Sequence, residues 1–261
     1  MSSPAIETIN RKDAMTACPV CSTDADKRIA GTPYIECPTC ALWFQSPLPP
    51  KVFQAPTEYD LAGMPEGDRA VNRDLAARLF DTVMGGRSGH TLDIGAKHPV
   101  LASALADRGC VAFAIDGVMP SPEPGVICDQ QDFETFAPTD AAGKYRLITM
   151  IHVFEHMYDP LAALRKLRAL VEEDGRVFLR LPDHRVPGIE RDLTAHHFTI
   201  HPYVHCLTSL LEALAQVGDC FEIESTGHMN GFGQRDLVLR PISRAPRLAV
   251  AMIAKNEAAD I

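Results

Sequence analysis

The sequence has no run of eighteen apolar residues, about the least a membrane-spanning helix needs, so no transmembrane segment is expected. Its first seventeen residues, MSSPAIETINRKDAMTA, lack the apolar core of a secretory signal, which predicts a cytoplasmic protein. Basic excess is missing too. The formal net charge is −9 with no basic stripe, which argues against nucleic acid as a partner. No internal repeat is evident. What is present suits an ordinary globular protein: 46% hydrophobic and 23% charged residues over 261 positions, enough for one sizeable core and a small module.

Eight cysteines stand in a chain that carries no secretory signal, where metal binding is a better reading of clustered pairs than disulfides. Four are clustered as C-x2-C, fifteen residues, C-x2-C: Cys18, Cys21, Cys37 and Cys40. Each CxxC can fold as a knuckle pointing two thiolates at one ion, and two knuckles complete a tetrahedron. Four soft ligands leave no open position, so the expected site is structural zinc, with the metal supplying much of the module's folding free energy. Trp43 and Phe44 follow the last ligand and could pack the module against the larger domain. Cys110, Cys128, Cys206 and Cys220 are dispersed in apolar surroundings and read as small core residues.

Along the chain, residues 1–16 read as a flexible tail, 17–50 as the metal module and the proline-rich stretch 51–67 as a linker. From residue 68 to 240 short apolar runs alternate with helical patterns. TLDIG, CVAFAIDG, YRLITMIHVF and GRVFLRLP read as strands. PVLASALADRG, LAALRKLRALVEEDG and YVHCLTSLLEALAQV read as helices, and CFEIEST and RDLVLRP as a closing, antiparallel pair. A helix from about residue 68 would place Ala70, Val71, Leu75, Leu79 and Phe80 on one face. This alternation predicts an α/β fold, a mainly parallel sheet with helices on both faces and an antiparallel edge.

Ligands in such sheets settle beyond the strand C-termini, at the point where strand order reverses. TLDIG ends there on Gly95, where close backbone approach is possible. About twenty residues on, Asp116 ends the next strand in AIDG, well placed to accept both ribose hydroxyls of a nucleoside. ICDQQDF then sets Asp129 and Gln130 after a third short strand, where an adenine edge could be read.

With LDIGA, AIDG, CDQQDF and YRLITMIHVFEHMYDP in that order, residues 68–240 resemble class I S-adenosylmethionine-dependent methyltransferases, a Rossmann-like fold. CPVC…YIECPTCALWFQSPLPP resembles the zinc ribbon found ahead of many bacterial methyltransferase domains. The resemblance implies S-adenosyl-L-methionine as cofactor. It gives Asp93, Gly95 and Ala96 the methionine end, Asp116 and Gly117 the ribose, Asp129 or Gln130 the adenine, and the His152 backbone a place near the sulfonium. One departure is plain. The family's motif continues with a glycine pair, whereas this chain has Gly95-Ala96-Lys97-His98-Pro99, bringing a charge close to the expected carboxylate.

Methyl transfer needs alignment of donor and acceptor, and a base when the acceptor is a hydroxyl. His156, His196 and His197 are the candidate bases, on a face also carrying Glu155, Asp183, His184 and Glu190. HVFEH is not the zinc-peptidase HExxH, because its glutamate is misplaced and it starts in a strand. His197, His201 and His205 have helical spacing, but Pro202 interrupts it and the spacing reads as coincidence. Residues 241–261 end in LAVAMIAKNEAADI, which resembles the opening of family 2 glycosyltransferases. That implies fusion to a glycosyltransferase domain, with a sugar or glycan methylated on oxygen in polysaccharide biosynthesis. The competing readings are carbon methylation of a nucleotide-linked sugar and a non-catalytic docking domain.

Overall fold

The computed structural model describes residues 16–51, 63–118, 121–137, 144–191, 193–218, 220–229 and 231–242. Most of the expected tail, the middle of the linker and the glycosyltransferase-like end (243–261) lie outside these residues. Five short strands come first: β1 (Thr16–Ala17), β2 (Asp24–Ala25), β3 (Lys27–Arg28), β4 (Tyr34–Glu36) and β5 (Trp43–Gln45). Helix α1 (Glu66–Arg78) runs into a wider turn over Leu79–Val83, and then β6 (His90–Ile94), α2 (Val100–Ala106), β7 (Val111–Asp116) and β8 (Val126–Gln130) follow. The rest is β9 (Tyr145–Ile151), α3 (Pro160–Leu170), β10 (Val171–Pro182), α4 (Ala195–Ile200), β11 (Tyr203–Val204), α5 (Leu207–Gln216), β12 (Phe221–Met229) and β13 (Gln234–Pro241).

The large sheet has seven strands in the order β12-β13-β10-β9-β6-β7-β8. β8, β7, β6, β9 and β10 are parallel, and β13 and β12 close the sheet antiparallel. This is the Rossmann-like architecture the apolar runs imply. They are continuous rather than alternating because both faces are covered. One face packs Leu75, Leu79, Leu101 and Leu105 of the α1–α2 side on Leu147 and Phe178. The other packs Leu164, Leu167 and Leu210 of α3 and α5 on Ile148 and Leu179. Ala70 and Val71 depart from the expected face of α1 and are exposed, while Leu75 and Leu79 are buried as expected, with Ala76 beside them.

Two helix boundaries differ from the sequence reading, and the strand read over YRLITMIHVF ends at Ile151. The helix expected to run to Gly175 stops at Leu170, although its start has the Asp159 cap accepting from Ala162 N–H at 2.8 Å and Pro160 in the first turn. Val171 already pairs with Tyr145, and the register shifts before Arg176. Gly175 serves this bulge, because a Cβ there would lie 2.9 Å from the Tyr145 carbonyl oxygen. The helix expected from Tyr203 begins only at Leu207. Tyr203 and Val204 instead pair with Phe44 and Trp43 of the metal module.

That pairing makes a four-stranded sheet, β11-β5-β4-β3, shared between the module and the larger domain. Val20, Ile35, Leu42 and Phe44 belong to the same buried cluster as Leu92 and Ile148 of the large sheet. Gln45 and Tyr34 reach across it: Gln45 Nε2 donates to the Phe198 and His201 carbonyls at 2.7 and 2.9 Å, and the Tyr34 hydroxyl donates to the His201 carbonyl at 3.0 Å. Trp43 stacks on His184 with centroids 4.2 Å apart, while Phe44 is buried.

Candidate functional site

A cavity of about 390 Å³ opens at the C-terminal ends of β6, β7 and β9, where strand order reverses. Its volume falls within the usual range for small-molecule sites. Ile94 and Gly95 end β6, Asp116 and Gly117 end β7, and Ile151 and His152 end β9 at its wall. Gly95 has φ +73°, and a Cβ there would sit 2.2 Å from Val153 Cγ2, so only glycine lets the β6 and β9 ends approach this closely. The turn is pinned by Gly95 and Ala96 N–H groups donating to the Ile115 carbonyl at 2.7 and 3.1 Å. Lys97, the residue that departs from the glycine pattern, lines the cavity.

The cofactor residues expected from sequence divide into wall and support. Gly95, Asp116, Gly117 and His152 line the cavity. Asp116 Oδ1 accepts from the Val118 N–H at 2.9 Å, which fixes its rotamer. His152 takes φ +54°, and its N–H donates to the Arg180 carbonyl at 2.8 Å. Asp93 and Ala96 are buried behind the wall. Asp93 accepts from the Thr149 hydroxyl at 2.6 Å, joining β6 to β9, and burial pushes its carboxyl up to about 7 against that hydrogen bond.

Asp129 and Gln130 fall elsewhere. Both lie within β8, paired to Ile115 and Asp116, and neither lines the cavity. The strand runs further than its apolar part because the ladder with β7 continues to the end of AID, so the loop begins at Gln131. Gln131, Asp132 and Phe133 line the cavity in their place. Pro50 and Lys51, on the segment leaving the metal module, also line it, and Lys51 forms ion pairs with Asp132 at 2.5 Å and with Glu134.

His156 lines the same cavity with Met157, Tyr158 and Ile200, whereas His196 and His197 do not. His196 is exposed on α4, and His197 Nδ1 lies 2.8 Å from the Thr194 hydroxyl. They are still connected to His156 through His201, whose ring centroid is 4.7 Å from that of His156 and 5.0 Å from that of His197. The helical spacing of His197 and His201 is therefore a real contact, since α4 ends only at Ile200. His156 Nδ1 is 2.9 Å from the Ile200 carbonyl, which can only accept, so Nδ1 carries the proton and Nε2 the lone pair.

The four clustered cysteines come together as spaced. Sulfur–sulfur distances are 3.7 Å for Cys18–Cys40, 3.4 Å for Cys21–Cys37 and 3.8 Å for Cys21–Cys40. A tetrahedral zinc with bonds of about 2.3 Å needs sulfurs about 3.8 Å apart, so the set fits the ion. Each knuckle closes in the same way: Ser22 and Ala41 take positive φ and donate their N–H to the Cys18 and Cys37 carbonyls at 2.9 and 3.0 Å.

The methyltransferase domain family matches residues 65–237, well over half of the chain. A ubiquinone biosynthesis O-methyltransferase of Pseudomonas aeruginosa is 33% identical over 115 residues, 40% of this chain and 49% of that protein. The chain spans less than half the length of such curated relatives. Among solved structures, the 1,6-didemethyltoxoflavin-N1-methyltransferase of Burkholderia thailandensis, with bound S-adenosylhomocysteine, superposes with TM-score 0.52 at 15% identity over 84% of this chain and 99% of that one. The N,N-8-amino-8-demethyl-D-riboflavin dimethyltransferase of Streptomyces davawensis gives TM-score 0.50 at 16% identity over 66% and 55%. These structural likenesses show the fold. With the family match across the parallel sheet and its cavity, the chain belongs to the methyltransferase domain family.

Proposed function

We propose that the chain is an S-adenosylmethionine-dependent O-methyltransferase, with residues 68–240 as its catalytic domain and residues 17–50 as a structural zinc ribbon. The observation that carries this is one cavity lined by Gly95, Asp116 and His156 together. When bound, S-adenosylmethionine supplies a methyl group on a positively charged sulfur. The chain's residues do the rest. Asp116 accepts the two ribose hydroxyls, Gly95 and the His152 backbone shape the methionine end, and Gln131 and Asp132 face the adenine. His156, with its Nε2 lone pair, activates the acceptor hydroxyl. His196 and His197 support it from behind His201 rather than touching the acceptor.

The proposed acceptor is a sugar or glycan hydroxyl, on the resemblance of residues 248–261 to a glycosyltransferase opening. The relatives' O-methyltransferase names favour oxygen over carbon as the methylated atom. Zinc-loaded protein with labelled S-adenosylmethionine, offered nucleotide sugars, oligosaccharides and phenolic alcohols in parallel, tests the reading. Labelled, alkali-stable ethers on the carbohydrates are expected. Label on phenols alone would move the acceptor class, label on a sugar carbon would favour the carbon-methylating alternative, and no label with any acceptor would favour docking.

A further inference from the structure

Apart from the four cysteines, the described residues hold a second group of metal-ligating atoms. Glu155, His156 and His201 each offer one, all within 4.8 Å of one another. Three features of this group point to an ion. Glu155 is fully buried, yet neither carboxylate oxygen has a hydrogen-bond partner. The His152, His156 and His201 imidazoles face it, and His152 Nδ1, at 3.4 Å, is too far for a strong hydrogen bond. A carboxylate left so in the interior is costly unless a cation meets it. Next, His156 donates Nδ1–H to the Ile200 carbonyl, the arrangement that orients a metal-ligating imidazole and leaves Nε2 to bind. Last, the backbone of His201 is held from outside, its carbonyl accepting from Tyr34 and Gln45 of the ribbon.

We propose that Glu155, His156 and His201 bind a divalent transition-metal ion at the acceptor end of the cavity. Two imidazoles and a carboxylate suit zinc, cobalt, iron or manganese better than calcium or magnesium. Three protein ligands leave a position open, as catalytic sites do, unlike the closed four-cysteine site. His156 and Ile200 line the cavity, so that position is reached from it. HExxH sets two histidines on one helix, whereas here His201 comes from the end of α4 and the other two ligands follow β9.

The role, though not the binding, rests on the methyl-transfer reading. With the ion bound, the His156 Nε2 lone pair is a ligand and no longer a base, and coordination of the acceptor oxygen lowers that oxygen's pKa instead. The O–H bond breaks and its proton leaves to bulk water. The oxygen then forms a C–O bond to the methyl carbon as the C–S bond breaks, and the sulfonium becomes a neutral thioether.

Untagged full-length protein carrying one zinc per chain is titrated with Co2+ and followed by absorbance. One further equivalent is expected, with the weak visible bands of nitrogen- and oxygen-ligated cobalt and no thiolate charge-transfer band. Glu155→Gln and His201→Ala should each weaken it at least tenfold. Calorimetry with S-adenosylmethionine on the same samples reports whether the variants remain folded. Absence of an extra equivalent in the unsubstituted protein overturns the proposal, as does an equivalent that both variants bind unchanged. A bound equivalent with no S-adenosylmethionine heat would sink the methyl-transfer reading and leave the metal site standing.

Discussion

Two parts of the cavity wall, one at the strand ends of Gly95 and Asp116 and one at His156, are built in opposite ways. The part at Gly95 and Asp116 is made where neighbouring parallel strands stop, by residues a few positions from an apolar run. The part at His156 is assembled from the turn after β9, the end of α4 and, behind them, the four-cysteine module. The first depends on the sheet and its glycine turn. The second depends on packing between segments far apart in sequence, so it should fail first when that packing is loosened.

The largest expected effect separates the two parts of the chain. Removing the zinc proposed for the four-cysteine module with a chelator, or Cys40→Ser, should lower the melting temperature by about 10 °C or more, since a structural zinc supplies folding free energy of many kcal/mol. The cost should spread through the whole chain, because ribbon and sheet share one core. Retention of the full melting temperature with all metal removed would contradict the ribbon's structural role.

Asp116→Ala should next weaken S-adenosylmethionine binding about 100-fold, the loss of two charge-assisted hydrogen bonds of about 1.5 kcal/mol each. Stability should change less than affinity, because Asp116 stands at the last position of β7, on the cavity wall rather than in the core. Unchanged affinity in calorimetry would refute the ribose assignment. Gly95→Ala should cost about 2 kcal/mol of stability, from positive φ and from the clash with Val153. A urea melt within 0.5 kcal/mol of the wild type, an ordinary surface-substitution effect, would show that the strand ends can part.

Acid provides a milder test near the second part. His205 is buried, and burial holds its imidazole down to about 4 against a usual 6.5, with the Glu155 charge opposing and Asp183 and His184 also facing it. The unfolded chain therefore takes up this proton first. Stability is full above about 6.5 and falls by about 1.4 kcal/mol per pH unit as the pH drops toward about 4. Urea midpoints across that window should show a slope shallower by one proton in His205→Leu; identical slopes would remove His205 from the account. The smallest effect is the most selective. Gln45→Ala deletes the amide donors to Phe198 and His201, worth about 1 kcal/mol, and should lower kcat several-fold with S-adenosylmethionine affinity intact. Equal losses in both would mean that the ribbon does not act on the acceptor end alone.

The same contrast explains what the sequence could tell. Thr91–Gly95 and Val111–Asp116 announce themselves because both faces of a parallel strand are buried and the functional residue sits at its end. The cysteines are equally legible, since two residues of spacing fix each knuckle. The loop after β8 slips by one or two residues because the length of β8 is set by its ladder with β7, which composition does not record. β11 reads as the start of a helix because two residues that pair with β5 are contiguous with an amphipathic run. His201 is overlooked for a related reason. Pro202 breaks the local pattern, while the contacts that give His201 meaning come from His156 and from the ribbon's Tyr34 and Gln45.

The central claim is that this sheet holds S-adenosylmethionine despite its altered glycine turn. Calorimetric titration of the zinc-loaded full chain tests it most directly. Saturable heat at about one site per chain, lost in Asp116→Ala, is the result the account predicts. No heat at millimolar cofactor from a folded, metal-loaded sample would contradict it.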